Sequence, residues 1–249
     1  MPISSGTIKF ISSLRQKKVR QNYHKFTVEG TRIVAELLSQ DRYRVDHLYA
    51  LETWADNAPR QADVPLTVVT PRELGRISQL TTPNQVLAVV DMPAHDPALP
   101  PDLADGWSLY LDGVQSPSNL GALLRIADWF GFSYVFGGPG TADLYNSKSI
   151  QASMGSFLRI VYREQFLEEV IRTSPDLPVF GADLAGENIY SITPPAAGVL
   201  VIGAEGPGIG AGTREQVNRW ITIPRAPGRT AESLNAAVAA GILCSALRR

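Results

Sequence analysis

The sequence predicts an α/β protein in which a small α/β unit precedes a larger unit with a mainly parallel sheet. Short apolar runs of strand length alternate with helical patterns along most of the 249 residues, which predicts parallel strands covered by helices on both faces. A proline-rich stretch, MPAHDPALPPDLADG (92–106), interrupts this alternation. The hydrophobic content of 44% and the charged content of 19% are typical of a globular protein.

Residues 1–92 form the first predicted unit. Helical patterns occupy IKFISSLRQKKV (8–19), GTRIVAELLSQ (30–40) and PRELGRISQL (71–80), of which the last begins at a proline. The strand-like runs are RVDHLYAL (44–51), LTVVT (66–70) and VLAVVDM (86–92). Residues 93–106 are interpreted as an interdomain linker, although a long surface loop inside a single domain would give the same pattern.

Residues 107–249 form the second predicted unit. Its strand-like runs are WSLYLD (107–112), SYVFG (133–137), FLRIVYR (157–163), PVFGAD (178–183), GVLVIGA (198–204) and WITIP (220–224). The clearest helical pattern between them is NLGALLRIADWFG (119–131). Because open parallel sheets bind ligands at the carboxyl ends of their strands, we expect the functional residues where these runs end.

The residue content excludes several kinds of site. Cys244 is the only cysteine, which excludes an internal disulfide and a CxxC zinc site. His24, His47 and His95 lack metal-ligand spacing, so no metal is expected. No apolar run approaches the roughly 20 residues of a membrane span, and the N-terminus lacks the apolar core of a signal peptide. We therefore expect a cytoplasmic protein without a membrane partner.

Positive charge is concentrated at the start of the chain, although the net charge is −1. The first 25 residues contain no acidic residue and several basic ones, Lys17, Lys18 and Arg20 among them. Such a cluster could contact nucleic acid phosphates. The solvated face of a helix gives the same pattern, so this charge does not by itself decide between the two.

The first candidate motif is LDGVQSPSNLGALLRIADWFG (111–131). Asp112 ends a strand, Asn119 is expected to open a helix, and Arg125 follows six residues later. An ordinary helix with an Asn cap and one solvated Arg would have the same pattern.

The second candidate motif is LVIGAEGPGIG (200–210), where Gly203 ends a strand and Glu205 and Gly208 follow in a turn. Glycines at a strand end let the backbone approach a ligand closely, although a flexible turn is the alternative. No lysine follows, which excludes a P-loop. Only 39 residues follow Gly210, too few for the remaining units of a Rossmann-type methyltransferase.

The third candidate motif is IPRAPGRTAESLNAAVAAGI (223–242). A loop that contains Arg225 and Arg229 leads to Ser233 and Asn235, and Ser233 is expected to cap a helix. The small residues that follow permit close packing of that helix, and a capped packing helix without function is the alternative.

In this order, the three motifs resemble the SpoU (TrmH-like) family of RNA ribose methyltransferases, part of the SPOUT superfamily. The resemblance rests on residues 119–125, 203–206 and 223–235, and QASMGSF (151–157) is similar to the family's Ser-x-Gly helix. It covers 107–249 and extends more loosely to FTVEGTRIVAELL and TTPNQVLAVV, which resemble a substrate-binding domain. Ser116 departs from the pattern, because the family often has Asp there.

The resemblance implies a SPOUT-type parallel sheet with a C-terminal trefoil knot, a homodimer, and S-adenosylmethionine as the cofactor. The residues that would bind this cofactor, largely through the backbone, are Gly203, Gly208, Ile223 and Leu234. Those that would form the reaction centre are Asn119, Arg125, Glu205, Ser233 and Asn235. Those that would contact RNA are Lys17, Lys18, Arg20, Arg225 and Arg229.

These residue types suit methyl transfer to a ribose 2′-hydroxyl. In-line displacement at a sulfonium depends on positioning, and the hydroxyl needs a base or a group that stabilises the alkoxide. A guanidinium such as that of Arg125 keeps its positive charge in proteins. It is therefore better suited to orienting the phosphate and stabilising the alkoxide than to accepting a proton, and Glu205 could hold it in place.

The sequence thus predicts an S-adenosylmethionine-dependent RNA 2′-O-ribose methyltransferase that acts on ribosomal RNA, with transfer RNA as the alternative substrate. The first unit, residues 1–92, would recognise structured RNA through shape and phosphates. Two other classes stay open. They are a non-catalytic RNA-binding protein of the same fold, and an S-adenosylmethionine-dependent enzyme that acts on a base or a small molecule.

Overall fold

The computed structural model describes residues 3–57, 63–94, 98–172 and 174–248. Positions 95–97 of the predicted linker, which include His95, lie outside the described residues. The elements of the first unit are α1 (Ser5–Ser13), α2 (Lys17–Tyr23), β1 (Lys25–Glu29), α3 (Thr31–Leu38), β2 (Val45–Ala50), α4 (Glu52–Ala55), β3 (Leu66–Val68), α5 (Pro71–Ile77) and β4 (Val86–Asp91).

The elements of the second unit are β5 (Trp107–Asp112), α6 (Pro117–Phe130), β6 (Tyr134–Gly137), α7 (Ser147–Ser153), β7 (Val161–Glu164), α8 (Leu167–Arg172), β8 (Val179–Asn188), β9 (Gly198–Gly203), α9 (Ala211–Arg214), β10 (Arg219–Thr222) and α10 (Ala236–Leu247).

The strands of the first unit form a mixed four-stranded sheet in the order β1-β4-β2-β3. Strand β4 is antiparallel to β1 and β2, whereas β2 and β3 are parallel. Helix α5 begins with Pro71, as the sequence predicts, because Thr70 and Glu73 form a capping box in front of it.

The strands of the second unit form a six-stranded sheet in the order β10-β8-β9-β5-β6-β7, and all neighbouring strands are parallel. The predicted α/β class and parallel sheet are therefore confirmed. Strands β5 and β9 lie in the middle and are buried almost throughout, as expected when helices cover both faces. All six carboxyl ends lie along one side of the sheet, which we call the carboxyl edge.

The segment 8–19 is not the single helix that the sequence predicts. Helix α1 ends at Ser13, and α2 begins at Lys17. The turn between them exists because Leu14 is fully buried, which directs the chain back towards the core.

Two other predictions are corrected. In FLRIVYR (157–163), a 3₁₀ turn over Ser156–Leu158 takes the place of the expected strand start, and the strand begins at Val161. The end of the predicted linker is not irregular throughout, because Leu103 lies in a 3₁₀ turn and packs in the same cluster as Tyr110 and Phe136.

The two sheets share one hydrophobic core. Phe26 of β1 packs against Tyr145 and Phe157 of the second unit, with ring centroids 4.6 and 6.3 Å apart. Tyr43, which precedes β2, lies 5.5 Å from Phe157 by the same measure. Among the described residues, no helix has both the length and the apolar character needed to cross a membrane.

Candidate active site at the carboxyl edge

Helix α6 brings the first motif to the carboxyl edge. Ser116, not Asn119, is its N-cap, because the Ser116 hydroxyl accepts a hydrogen bond from the backbone N–H of Asn119 at 3.4 Å. Pro117 occupies the first helical position, where it needs no hydrogen-bond donor. The side chain of Asn119 is therefore free of the capping role that the sequence suggested.

The loop after β9 closes on itself in a way that requires glycine. The backbones of Ala204 and Gly208 are paired by two hydrogen bonds of 3.0 and 3.1 Å, so the turn between them projects Glu205 into solvent. A Cβ at Gly203 would lie 2.3 Å from the carbonyl carbon of Gly208. Gly206 and Gly208 also have positive φ values of 90° and 69°, which other residues rarely adopt.

Helix α10 begins two residues later than the sequence suggests. Asn235, not Ser233, is the N-cap, and its Oδ1 accepts hydrogen bonds from the N–H groups of Ala237 and Val238 at 3.0 and 3.3 Å. Both residue types cap helices well, so the residue type alone did not identify the cap. Leu234, immediately before the cap, has a relative exposure of 48%.

Three of the predicted residues form a closed hydrogen-bonded cluster, which we call the amide–carboxylate triad: Asn119, Glu205 and Asn235. The Nδ2 groups of Asn119 and Asn235 donate to the same oxygen, Oε1 of Glu205, at 2.8 and 2.7 Å. Asn235 Nδ2 also lies 3.1 Å from Oδ1 of Asn119, which accepts its hydrogen bond. The triad joins α6, the loop after β9 and the start of α10 at one point of the carboxyl edge.

The other two predicted reaction-centre residues are not part of this cluster. Arg125 and Ser233 are exposed, and no hydrogen bond or ion pair joins the side chain of either to a described residue. Glu205 accepts from the two amides in this chain, and the suggestion that it also holds Arg125 stays a prediction. Six residues of α-helix separate Asn119 from Arg125, which corresponds to about 9 Å along the axis and about 120° around it.

The predicted cofactor residues lie on the loops that surround the triad. Ile223 follows β10 and packs partly against the core, while Leu234 is exposed beside Asn235. Arg225 donates from Nη1 to the carbonyl oxygen of Ala231 at 2.8 Å, so its guanidinium closes its own loop. Arg229 is exposed on the same loop.

The basic residues of α2 differ from one another in their surroundings. Lys17 and Lys18 are exposed, and Lys17 Nζ lies 3.8 Å from Glu164 Oε1 at the end of β7. Arg20 is only 3% exposed and forms a buried ion pair with Asp143. The prediction that Arg20 contacts RNA is therefore wrong, because its guanidinium is enclosed by protein acceptors.

Asp112 is a site residue to which the sequence analysis gave no role. Its Oδ2 accepts a hydrogen bond from the N–H of Gly210 at 2.6 Å, which ties the end of β5 to the loop after β9. The signal for it was its place at the end of a buried strand, where a polar side chain is well placed to hold a neighbouring loop.

The all-parallel sheet and the polar cluster at its carboxyl edge place the chain among α/β proteins that bind a ligand at that edge. The chain matches the SpoU rRNA Methylase family over residues 106–245 and the MRM3-like substrate binding domain over residues 6–88. It belongs to the SpoU rRNA methylase family. The predicted family, the RNA methyltransferase class and S-adenosylmethionine as its cofactor are confirmed by this membership.

Three individual proteins are similar to this chain over nearly its whole length. The 23S rRNA (guanosine(2553)-2'-O)-methyltransferase RlmP of Bacillus subtilis is 30% identical over 244 residues, which cover 97% of this chain and 95% of that protein. A TrmH-family protein from Porphyromonas gingivalis has a TM-score of 0.87 and 36% identity, covering 100% of this chain and 99% of that one. The SpoU methyltransferase AviRb from Streptomyces viridochromogenes, solved in complex with AdoMet, has a TM-score of 0.86 and 25% identity, with 98% and 97% covered.

Proposed function

We propose that this chain transfers the methyl group of S-adenosylmethionine to a ribose 2′-oxygen of ribosomal RNA. The observation that carries the proposal is the amide–carboxylate triad, which brings all three motifs together at the carboxyl edge. Ribosomal RNA is favoured over transfer RNA because the Bacillus subtilis relative, named as a 23S rRNA 2'-O-methyltransferase, aligns with nearly the full chain.

The loops around the triad fit the cofactor by their backbone geometry. The turn after β9 can be narrow because Gly203 has no side chain, where a Cβ would meet the backbone of Gly208. The glycines of this turn also expose their peptide groups to a ligand. Leu234 offers an exposed apolar side chain, and Ile223 lies at the end of the neighbouring loop. Gly203, Gly208, Ile223 and Leu234 would hold the cofactor, which supplies an electrophilic methyl group when bound. We also propose that these loops form the trefoil knot typical of the family.

The triad would position the ribose rather than react with it. Its two amides are neutral and hold Glu205 in one orientation, so the polar surface offered to RNA is fixed before the substrate arrives. Ser233 lies two residues from Asn235 and would add a hydroxyl to the same surface. Arg125 would bind the adjacent phosphate and stabilise negative charge on the 2′-oxygen.

We propose that Arg125 reaches this position from a second copy of the chain. It lies on an open face of α6 one turn from Trp129, whose exposure is 82%. The neighbouring surface of α10 is also apolar, with Val238 52% exposed and Ile242 lining the same groove as Ile126 of α6. A homodimer would cover these side chains, as large exposed apolar patches usually require, and would carry Arg125 to the partner's triad.

The first unit would recognise the RNA, and its lysines would contact phosphates, as would Arg225 and Arg229 of the second unit. We place the enzyme in the cytoplasm, where it would meet ribosomal RNA during assembly of the ribosome.

Calorimetric titration of the full chain with S-adenosylmethionine tests the cofactor site. We expect binding by the native protein and loss of binding in Leu234→Arg, because the guanidinium would enter the cofactor cradle. Leu66→Arg is the matched control, since Leu66 is exposed to 41% on the edge strand β3 of the first sheet. Equal loss in both variants, or retained binding in Leu234→Arg, would contradict the assignment.

A further inference from the structure

The buried Arg20 joins three parts of the molecule. Its Nη1 donates to the carbonyl oxygens of Leu14 and Arg15, both at 2.8 Å, which fastens α2 to the turn after α1. Its Nη2 bonds to the carboxylate of Asp143 in the second unit. A planar guanidinium can serve all three acceptors at once, whereas an ammonium has neither the fork nor the reach.

Asp143 connects Arg20 to the loops of the carboxyl edge. Its Oδ1 accepts a hydrogen bond from the N–H of Tyr145 at 2.9 Å, which shapes the loop after β6. The preceding residue, Ala142, donates its N–H to the carbonyl oxygen of Val114 at 2.9 Å. Val114 lies two residues before Ser116, the cap of α6. A continuous line of contacts therefore runs from α2 to the helix that carries Asn119.

Other contacts prevent the two units from turning relative to each other. Gln151 of α7 donates to the carbonyl oxygen of Glu29 at 2.7 Å, and Arg42 donates to that of Ile160 at 2.6 Å. The aromatic contact between Phe26 and Tyr145 also joins the two units. Relative domain motion is expected unless an interface is large and hydrophobic, and apolar residues of both units pack in one cluster here.

The rigid junction gives the lysines of α2 a defined distance from the triad. Lys17 lies beside Glu164 at the carboxyl end of β7, and Glu205 follows β9. Strand β7 is three positions from β9 in the sheet, which corresponds to about 15 Å at ~4.8 Å per strand. Lys17 therefore lies on the same edge as the triad, and Lys18 follows it in α2.

We propose that Arg20 and Asp143 are a positioning pair, which fixes Lys17 and Lys18 at the carboxyl edge so that RNA bound there reaches the triad at a set distance. This inference rests on the proposed function. Neither Arg20 nor Asp143 touches RNA. Both act through the lysines, which contact phosphates of the substrate.

A double-mutant cycle tests this coupling. The probe is an unmodified large-subunit ribosomal RNA transcript, and the measurement is the slope of log affinity against log salt for the full chain. In the native background, replacing Lys17 and Lys18 by Ala should reduce the slope by about 1.4–1.8, at about 0.7–0.9 per phosphate contact. In the Asp143→Asn background, the same replacement should change the slope by less than half of that.

Asp143→Asn keeps Oδ1 for the N–H of Tyr145 and replaces the charged oxygen that accepts from Arg20 by an amide NH2, which is itself a donor. Should this variant fail to fold, Arg20→Lys is used in its place, because it removes the guanidinium of the same ion pair. The matched control replaces Arg44 and Arg72, two exposed cations of the first unit, by Ala. Their effect on the slope should be the same in both backgrounds.

Additive slope changes, or no slope change when the lysines are replaced, would overturn the positioning pair. The cycle measures RNA binding alone, so it gives an answer even if the protein transfers no methyl group. S-adenosylmethionine titration of each variant shows separately whether the cofactor site is intact, since neither replacement touches its loops.

Discussion

Asn235 has two structural roles that different substitutions can separate. Its Oδ1 caps α10, and its Nδ2 donates to Glu205 and Asn119. Asn235→Ala removes both functions. The lost cap should lower stability by about 1 kcal/mol, which corresponds to a fall in Tm of about 2–4 °C for a chain of this size.

Asn235→Asp keeps the cap, because Asp and Asn are equally good at that position and a negative charge suits a helix start. It replaces a donor by a carboxylate oxygen 2.7 Å from Glu205 Oε1. Repulsion at that distance amounts to about 1.5 kcal/mol even with the screening of bulk water, so the triad should open or share a proton.

The assays are thermal unfolding and methyl transfer to unmodified ribosomal RNA. We expect Asn235→Asp to lose at most about 3–6 °C in Tm, which is the cost of about 1.5 kcal/mol of unrelieved repulsion at about 2–4 °C per kcal/mol, and to lose at least about 10-fold in transfer rate. The loss of transfer rate should be greater in alkaline buffer than in mildly acidic buffer, because the two carboxylates can share one proton in mildly acidic buffer. A native rate in Asn235→Asp would refute the role of the triad, and an unchanged Tm in Asn235→Ala would refute the cap.

Three further predictions concern other parts of the chain. Gly203→Ala should abolish cofactor binding, because its Cβ would meet Gly208 at 2.3 Å, whereas Gly212→Ala has open space and should bind normally in the same titration. Burial raises the pKa of the Cys244 thiol to about 12, so a thiol reagent should label it only after unfolding; fast labelling of native protein would contradict this. Burial also raises the pKa of Glu29, against the opposing effect of its hydrogen bonds. The folded state then keeps this proton to higher pH than the unfolded chain, so stability should fall as pH rises from about 4.5 through the folded pKa. Denaturant titrations across this pH range should show a smaller fall in the free energy of unfolding for Glu29→Gln than for the native protein. Parallel curves of this free energy against pH for the two proteins would count against the assignment.

Features set by local pattern were predictable from the sequence. β5 was predicted to the residue because WSLYLD is a buried apolar run that ends at Asp112. The convergence of the three motifs followed from a general rule, since the carboxyl ends of parallel strands lie along one edge. The grouping of Asn119, Glu205 and Asn235 in one reaction centre came from the family resemblance rather than from that rule.

Features set by distant contacts were not predictable. The residues next to Arg20 in the sequence are typical of a solvent-exposed helix. Its burial depends on Asp143, which is 123 positions away. Ser233 and Asn235 are both good caps, and the choice between them depends on Glu205, which holds the second. The open position of Arg125 on α6 likewise depends on how the helix is rotated against α7 and α10, which its own sequence does not specify.

The central claim, methyl transfer to a ribose oxygen, is tested most directly by following the methyl group into RNA. The full chain is incubated with S-adenosylmethionine labelled in its methyl group and with an unmodified large-subunit ribosomal RNA transcript. The RNA is then hydrolysed with alkali, which cleaves next to a free 2′-hydroxyl but not next to a methylated one. We predict label in alkali-resistant dinucleotides. Label in mononucleotides would show methylation of a base, and unlabelled RNA despite cofactor binding would contradict the proposed activity on ribosomal RNA.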